Sequence, residues 1–327
     1  MNELRCGVWG VGVWGEKHAR VYGAIPETTL AGVYDASPER ARTVAAQYGT
    51  RAFDTPEALL AECEAVSVAV PTVAHREATE RALAAGCHVL VEKPMAVTVA
   101  ECDAMIAAAK RANRTLQVGQ VERFNPALLA ARPFLGEPKF IEGHRMAAFQ
   151  PRSLDIDVVG DLMIHDIDAV LHLTGRTPDQ ISAVGVAVLS SNEDIANARL
   201  EFADGCVANL TASRVSVERL RRIRFFTGNA YVSVDLFGKT GEAFVIKDPG
   251  SFKPGHADPL ALLAGIERTT LTVGEGEPLT LELQAFARSL RGSSEGAASA
   301  QAGRDALYVA EEVREAMRRR ALQWSPR

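Results

Sequence analysis

The chain reads as an α/β Rossmann domain with a parallel, doubly wound sheet, followed by an α+β domain built on a large, open, mostly antiparallel sheet. Three observations predict this. The run Gly10-Val11-Gly12-Val13-Trp14-Gly15 follows a short apolar strand and opens a helix. Up to about residue 121, strand-like runs rich in Val, Ala and Leu alternate with stretches of helical period, the pattern of parallel strands covered on both faces. Beyond that point strand follows strand, and apolar residues alternate with polar ones, the mark of a sheet with one covered face.

In the first domain, residues 1–121, strands are expected at Leu4–Trp9, Leu30–Tyr34, Ala65–Val70, His88–Val91 and Thr115–Val118. Helices are expected near 16–24, 38–48, 56–62, 74–85 and 98–112, with right-handed crossovers between parallel strands. The second domain, residues 122–327, carries strands at Lys139–Arg145, Ile181–Leu189, Ala196–Phe202, Val207–Ser213, Arg221–Thr227, Tyr231–Leu236 and Glu242–Ile246. Asp204-Gly205 reads as a hairpin turn, and a helix over 158–174 stops at Gly175. Two late helices, about 278–291 and 303–320, close the chain, and the Pro/Gly-rich stretch 248–259 reads as loop. The open sheet must cover its apolar face with these helices or with another subunit, so a homo-oligomer, a dimer or tetramer, is expected through it.

With 327 residues, 47% hydrophobic and 24% charged, the chain is an ordinary globular protein with room for two cores. A net charge of −5 leaves no electrostatic footprint for nucleic acid. Arg314, Arg318, Arg319 and Arg320 read as the solvated face of a last helix. The five cysteines, Cys6, Cys63, Cys87, Cys102 and Cys206, are scattered singly, which argues against disulfides and thiolate metal sites. No apolar run approaches the roughly 20 residues that span a bilayer, and the N-terminus carries Glu3 and Arg5, so a cytoplasmic protein without membrane contact is expected.

The glycine motif predicts a dinucleotide. Gly10 permits a tight turn, Gly12 lets backbone approach a pyrophosphate, and Gly15 permits close helix–strand packing, while the N–H groups of the helix start, at Val13 and Trp14, face the anion. Asp35, at the end of the second strand, is placed to accept hydrogen bonds from ribose hydroxyls and would repel a 2′-phosphate, which favours NAD even though Arg40 and Arg42 follow. Val70-Pro71-Thr72 and Glu92-Lys93-Pro94 end strands at the edge where such folds bind ligands. Lys93 beside a nicotinamide is suited to donate a hydrogen bond to a substrate hydroxyl. On the helix over 158–174, Asp161, His165 and Asp168 fall on one face. His165 is suited to take an alcohol proton and Asp161 to orient it; a divalent-metal site at these three residues is the alternative, and no metal is expected because no further ligand stands out.

Taken together, Gly10–Gly15 with His18-Ala19, the run from Val68 to His75, Ala85–Pro94, Arg123-Phe124-Asn125-Pro126 and Asp161–His165 resemble the glucose-fructose oxidoreductase and inositol dehydrogenase family. The resemblance implies an NAD-dependent sugar dehydrogenase in which Lys93 contacts the reacting hydroxyl and Asp161 and His165 serve the sugar and its proton. It places Pro71, Thr72, His75, Glu92 and Lys93 at the cofactor and implies a cis bond before Pro94. Met163 stands where the family usually has glycine, which would narrow the site locally. Asp155–Asp168 together with Asp194–Phe202 resemble the branch of the family that oxidises C3 of UDP-N-acetylglucosamine, ahead of a partner aminotransferase in diamino-sugar synthesis for lipid A. For such a nucleotide sugar, Arg123, Asn125, Arg145, Arg152 and Arg214 are candidates to bind diphosphate or uracil, since guanidinium groups pair bidentately with phosphate oxygens. Oxidation of a free sugar or inositol remains open on these residues, as does a non-catalytic NAD-binding regulator.

Overall fold

A computed structural model describes residues 3–149, 156–247, 265–293 and 297–324. Arg152 and the loop expected at 248–259 lie outside these residues. The chain forms two compact units, Met1–Phe124 with Gly276–Leu307, and Asn125–Glu275 with Tyr308–Arg327.

The first unit alternates strand and helix as expected: β1 (Leu4–Trp9), α1 (Val13–Tyr22), β2 (Thr28–Tyr34), α2 (Pro38–Gln47), α3 (Pro56–Leu60), β3 (Ala65–Val68), α4 (His75–Ala84), β4 (His88–Glu92), α5 (Val99–Ala112) and β5 (Leu116–Gly119). Helix starts are fixed locally. Ser37 and Thr55 each accept a backbone N–H with a proline just behind them, and Thr98 forms a reciprocal capping box with Glu101. β1 to β5 pair in parallel in the order β5-β4-β3-β1-β2. β3 is buried along its whole length, which its unbroken Ala-Val-Ser-Val run requires of a strand covered on both faces.

A single cut at 121/122 does not describe the domains. α8 (Pro278–Ser289) lays Leu279, Leu283, Phe286 and Ala287 into the core that holds Leu4, Val8 and Tyr22, and β14 (Ala298–Ser299) adds an antiparallel edge to β5. The chain therefore returns to the first unit after the second is built. α9 (Ala300–Trp324) follows, and from Tyr308 it groups with the second unit.

The second unit holds α6 (Pro126–Leu135), β6 (Phe140–Met146), a π-helical turn at Val159–Met163 running into α7 (Ile164–Thr174), then β7 (Gln180–Val186), β8 (Ile195–Glu201), β9 (Val207–Ser213), β10 (Leu220–Phe226), β11 (Ala230–Asp235), β12 (Thr240–Ile246) and β13 (Ile266–Thr270). Its sheet runs β13-β12-β11-β10-β6-β9-β8-β7, antiparallel at every pair except β6 with β9. Alternate residues Ile141, Gly143 and Arg145 of β6 are buried, while Phe140, Glu142 and His144 are half-exposed on the opposite face. Asp204-Gly205 makes the expected turn with Gly205 at φ +83°, and Gly175 ends α7 at φ +68°. α6 and β13 are additions. Asn125 and Pro126 start α6 as a cap and first-turn proline do, but Pro133 inside it argues against a helix, and β13 is an edge strand of mostly exposed residues with no apolar alternation. Among the described residues no helix is long and apolar enough to cross a membrane.

Candidate active site

In the first unit, the residues expected at the cofactor gather at the carboxyl ends of the parallel strands. Gly10 takes φ +89°, and an added Cβ would stand 2.8 Å from the backbone of Ala69 and Val70. A Cβ on Gly15 would stand 1.8 Å from the Gly10 carbonyl oxygen. Around Gly12 there is open space, and α1 starts there without a side-chain cap, so the first helical N–H groups are available to an anion. Val13 and Trp14 are exposed beside them. This cradle fits a dinucleotide pyrophosphate.

Asp35, expected at the ribose, holds the loop. Its Oδ2 accepts from the Val11 N–H at 2.8 Å and its Oδ1 from the Ser37 N–H at 2.9 Å. Arg40 donates from Nε to the Val11 carbonyl at 2.8 Å and pairs with Glu16, so that both backbone polar groups of Val11 are held and the guanidinium is engaged away from a 2′-phosphate.

Lys93 follows β4 and is joined to Pro94 by a cis peptide bond, as the resemblance implied. Both of its chain neighbours are held. The Glu92 Oε2 accepts from the Lys93 backbone N–H at 3.2 Å, and Glu92 Oε1 lies 2.8 Å from His18 Nε2. Gly119, opposite Glu92 in the ladder, leaves room for that carboxylate, since a Cβ there would approach Oε1 to 3.0 Å. The His18 Nδ1 lies 2.9 Å from Ser67 Oγ, which lies 2.7 Å from the Tyr22 hydroxyl. On the other side, the buried His75 ring places Nδ1 2.9 Å from the Pro94 carbonyl and Nε2 2.9 Å from the Val70 carbonyl. Burial pushes the His75 pKa down, and the two carbonyl oxygens oppose that fall. His75 is thus a brace within the strand ends. Pro71 and Thr72 open the short 3₁₀ turn between Val70 and α4, with Pro71 exposed.

In the second unit, Asp161 sits in the π-helical turn and His165 one residue into α7, both half-buried, with His165 Nδ1 shielded from solvent. Single π turns recur at functional sites because they re-aim the side chains around them. Asp168 is buried. Met163 is also fully buried, so its side chain packs inside the second unit instead of narrowing a site from the surface. Among the described residues no group of three His, Cys, Asp or Glu side chains is placed to hold a metal ion.

The expected phosphate ligands have other work. Arg145 is buried and grips Asp166 bidentately, Nε to Oδ2 at 2.9 Å and Nη2 to Oδ1 at 2.8 Å. Arg214 is buried and donates from Nε to Asp194 Oδ1 at 2.9 Å and from Nη1 to the Ile156 carbonyl at 2.6 Å. Asn125 caps α6, accepting from the Ala127 N–H and donating to the Leu236 carbonyl, and is buried. These three are structural, because a guanidinium or amide already enclosed with its partners cannot also reach a diphosphate. Arg314, expected on a solvated face, pairs instead with Asp157, Nε to Oδ2 at 2.6 Å. Arg123 lies half-buried in a 3₁₀ turn of the first unit.

Sequence reasoning therefore missed the roles of His18, Ser67, Asp157 and Asp166. A signal for two of them existed: Ser67 is a lone hydroxyl in a fully buried strand, and an arginine at an inward position of β6 calls for a buried acid.

The arrangement is that of a sugar dehydrogenase family. A profile described as "Oxidoreductase family, NAD-binding Rossmann fold" matches residues 4–120, and the "GFO/IDH/MocA C-terminal domain" matches residues 127–241. The chain belongs to the GFO/IDH/MocA family and is an NAD-binding oxidoreductase. It is 39% identical over 318 residues to UDP-N-acetylglucosamine 3-dehydrogenase of Acidithiobacillus ferrooxidans, covering 97% of this chain and 98% of that one. The solved structure of that enzyme superposes with a TM-score of 0.87 at 38% identity, covering 97% of this chain and 98% of that chain. Inositol 2-dehydrogenase of Rhizobium meliloti is 27% identical over 228 residues, covering 64% of this chain and 69% of the relative.

Proposed function

We propose that this protein oxidises C3 of UDP-N-acetylglucosamine to the 3-keto nucleotide sugar. The observation that carries this is the 39% identity along 97% of the chain to an enzyme of that name, with Lys93, Asp161 and His165 all present. NAD, which supplies the hydride acceptor when bound, would be held by Gly10, Gly12, Gly15, Asp35 and the N–H groups of Val13 and Trp14. His165 takes the hydroxyl proton at Nε2 as the C–H bond breaks, Lys93 donates a hydrogen bond to the oxygen as it gains charge, and Asp161 orients the sugar and the imidazole. Arg123 and Arg152 are the arginines proposed to meet the diphosphate.

In this reading the keto product goes to an aminotransferase that makes a diamino sugar for lipid A, and the protein works in the cytoplasm, where its five free, buried cysteines suit a reducing compartment. It also assembles as a homo-oligomer through the half-exposed sheet face, where Phe140, Phe226, Tyr231 and Phe244 form a row of tilted rings across four strands with centroids 5.0–5.7 Å apart.

The test is NADH formation from UDP-N-acetylglucosamine, its 3-deoxy analogue, UDP-glucose, free N-acetylglucosamine and myo-inositol, with and without a coupled aminotransferase and glutamate. Turnover of UDP-N-acetylglucosamine but not of the 3-deoxy analogue is the expected result. Turnover of inositol alone moves the protein to the inositol branch of its family.

A further inference from the structure

Lys93 ends a strand, and a strand end leaves a long side chain with many rotamers unless something fixes the backbone beneath it. Here both flanking residues are fixed by imidazoles from different helices, His18 of α1 through the Glu92 side chain and His75 of α4 through the Pro94 carbonyl. The side chains of the two histidines are almost wholly buried and neither touches solvent enough to serve as an acid or base.

A carboxylate only accepts, so His18 donates from Nε2 to Glu92 Oε1, while its Nδ1 lies 2.9 Å from the Ser67 hydroxyl, itself 2.7 Å from the Tyr22 hydroxyl. Burial pushes the Tyr22 phenol pKa well up, which keeps it a hydroxyl at the closed end of this chain. A chain that ends at a buried tyrosine carries no proton to solvent. Its effect is to fix the Glu92 carboxylate, whose other oxygen receives the Lys93 N–H at 3.2 Å.

We propose that His18 and His75 are positioning residues that together set the place of Lys93, one through Glu92 and the other through Pro94. This rests on Lys93 serving the reacting hydroxyl. The two imidazoles also divide the work: His18 fixes the residue before the lysine and His75 the residue after it, the single N–H of the neutral His75 ring serving either the Pro94 or the Val70 carbonyl.

The test uses the full-length protein with His18→Leu, His75→Leu, their Gln counterparts and Lys93→Met. Steady-state kinetics with UDP-N-acetylglucosamine are measured beside NAD binding, melting temperature, and trace acetylation of Lys93 by acetic anhydride, read by mass spectrometry against Lys139 and Lys247. Each leucine variant should lower kcat by about ten- to a hundredfold, the order expected of a displaced catalytic group, with KM and NAD binding little changed. The Lys93 acetylation ratio should shift with it, and the glutamines should restore part of both. Wild-type kcat together with a wild-type acetylation ratio in the leucine variants overturns the proposal. If a leucine variant does not fold, Glu92→Gln takes its place: it keeps the side chain's shape but removes one of its two acceptors, and an unshifted ratio overturns the His18 arm. Lys93→Met turning over at the wild-type rate defeats the role of Lys93 in the reaction, while the acetylation ratio still judges the histidines by themselves.

Discussion

Lys93 is braced by two imidazoles, whereas the segment bearing Asp161 and His165 is fastened by three arginines. Arg214 holds the Ile156 carbonyl just before that segment, Arg314 holds Asp157 at its start, and Arg145 holds Asp166 one residue past His165. The difference follows from the backbone each one supports. β4 is already fixed on both sides by parallel neighbours, so its end needs only short hydrogen bonds to aim one lysine. The π turn has no ladder beneath it and breaks the regular helical register, so it needs charged anchors from the sheet and from α9. On this view the buried anchors of the second unit, Arg145 and Arg214, act chiefly on stability, and those of the first unit chiefly on rate.

The largest expected effect is on the proposed chemistry, in which His165 takes the hydroxyl proton. His165→Ala should lower kcat by about a hundred- to ten-thousandfold while NAD binding survives, measured by stopped-flow turnover and by fluorescence titration of the cofactor. An unchanged rate removes His165 from the mechanism and with it the reason for three arginines around it.

Next comes Arg145→Ala, which would leave the Asp166 carboxylate buried without its arginine. Breaking such a pair costs about 3–5 kcal/mol, so the urea transition of the second unit should move to markedly lower concentration while the first unit's transition stays in place. Arg145→Met combined with Asp166→Leu should recover much of that loss, because removing both charges removes the penalty. If the single variant unfolds like the wild type, the pair is no anchor and the contrast between the units fails.

The acid limb of stability sharpens the same contrast. Although burial pushes the Asp194 carboxyl up, hydrogen bonds from the Leu189 N–H, the Ser190 hydroxyl, the Val188 N–H and Arg214 outweigh it and hold the group well below the usual carboxylate range. A depressed folded pKa means the unfolded chain takes up the proton first. The stabilisation is therefore complete above the unfolded value of about 3.9 and is lost as pH falls below it. Melting curves between about pH 3 and 6 should show the second unit losing stability steeply at the acid end, with a shallower slope in Asp194→Asn. For His75 the depressed pKa acts in a neighbouring window: the unfolded imidazole protonates first, so stability of the first unit is fully present above about pH 6.5 and declines below it.

These contrasts also explain what the sequence could and could not disclose. The glycine loop, Asp35, the Glu92-Lys93-Pro94 end and the Asp161–His165 spacing are local patterns, and the structure places the first-unit members together at one sheet edge. Strand positions in the second unit were legible for the same reason, since alternation is a property of a few adjacent residues. The partners of Arg145 and Arg214 were not, because Asp166 and Asp194 lie 21 and 20 residues away and only the folded sheet brings them within reach. An isolated arginine offers no clue whether a phosphate or a buried acid awaits it; its inward position on β6 was the one hint, visible once Ile141, Gly143 and Arg145 are read as one face. The return of α8 and β14 to the first unit was hidden likewise, because an amphipathic helix does not state which core it completes.

The smallest expected effect separates holding from aiming within the second unit itself. Arg314 and Asp157 are partly exposed, with side chains 22% and 17% accessible, so their pair contributes less to stability than the buried Arg145 pair. Asp157 also accepts the Gly160 N–H at 2.8 Å on Oδ1, and a Cβ on Gly160 would stand 2.4 Å from the Arg314 guanidinium, so the arginine packs directly on the π turn. Arg314→Gln should leave the melting temperature within a few degrees of wild type, as about 1 kcal/mol would in a protein of this size. It should nevertheless lower kcat several-fold, because the turn that presents Asp161 loses the group that seats it, and a displacement well under an ångström at a catalytic residue is enough for that. Arg314→Lys keeps the charge but not the two-nitrogen grip on Asp157, so it should fall between. If Arg314→Gln lowers stability and leaves kcat untouched, Arg314 belongs with Arg145 as a holder, and the aim of Asp161 is set by the sheet side of the turn alone.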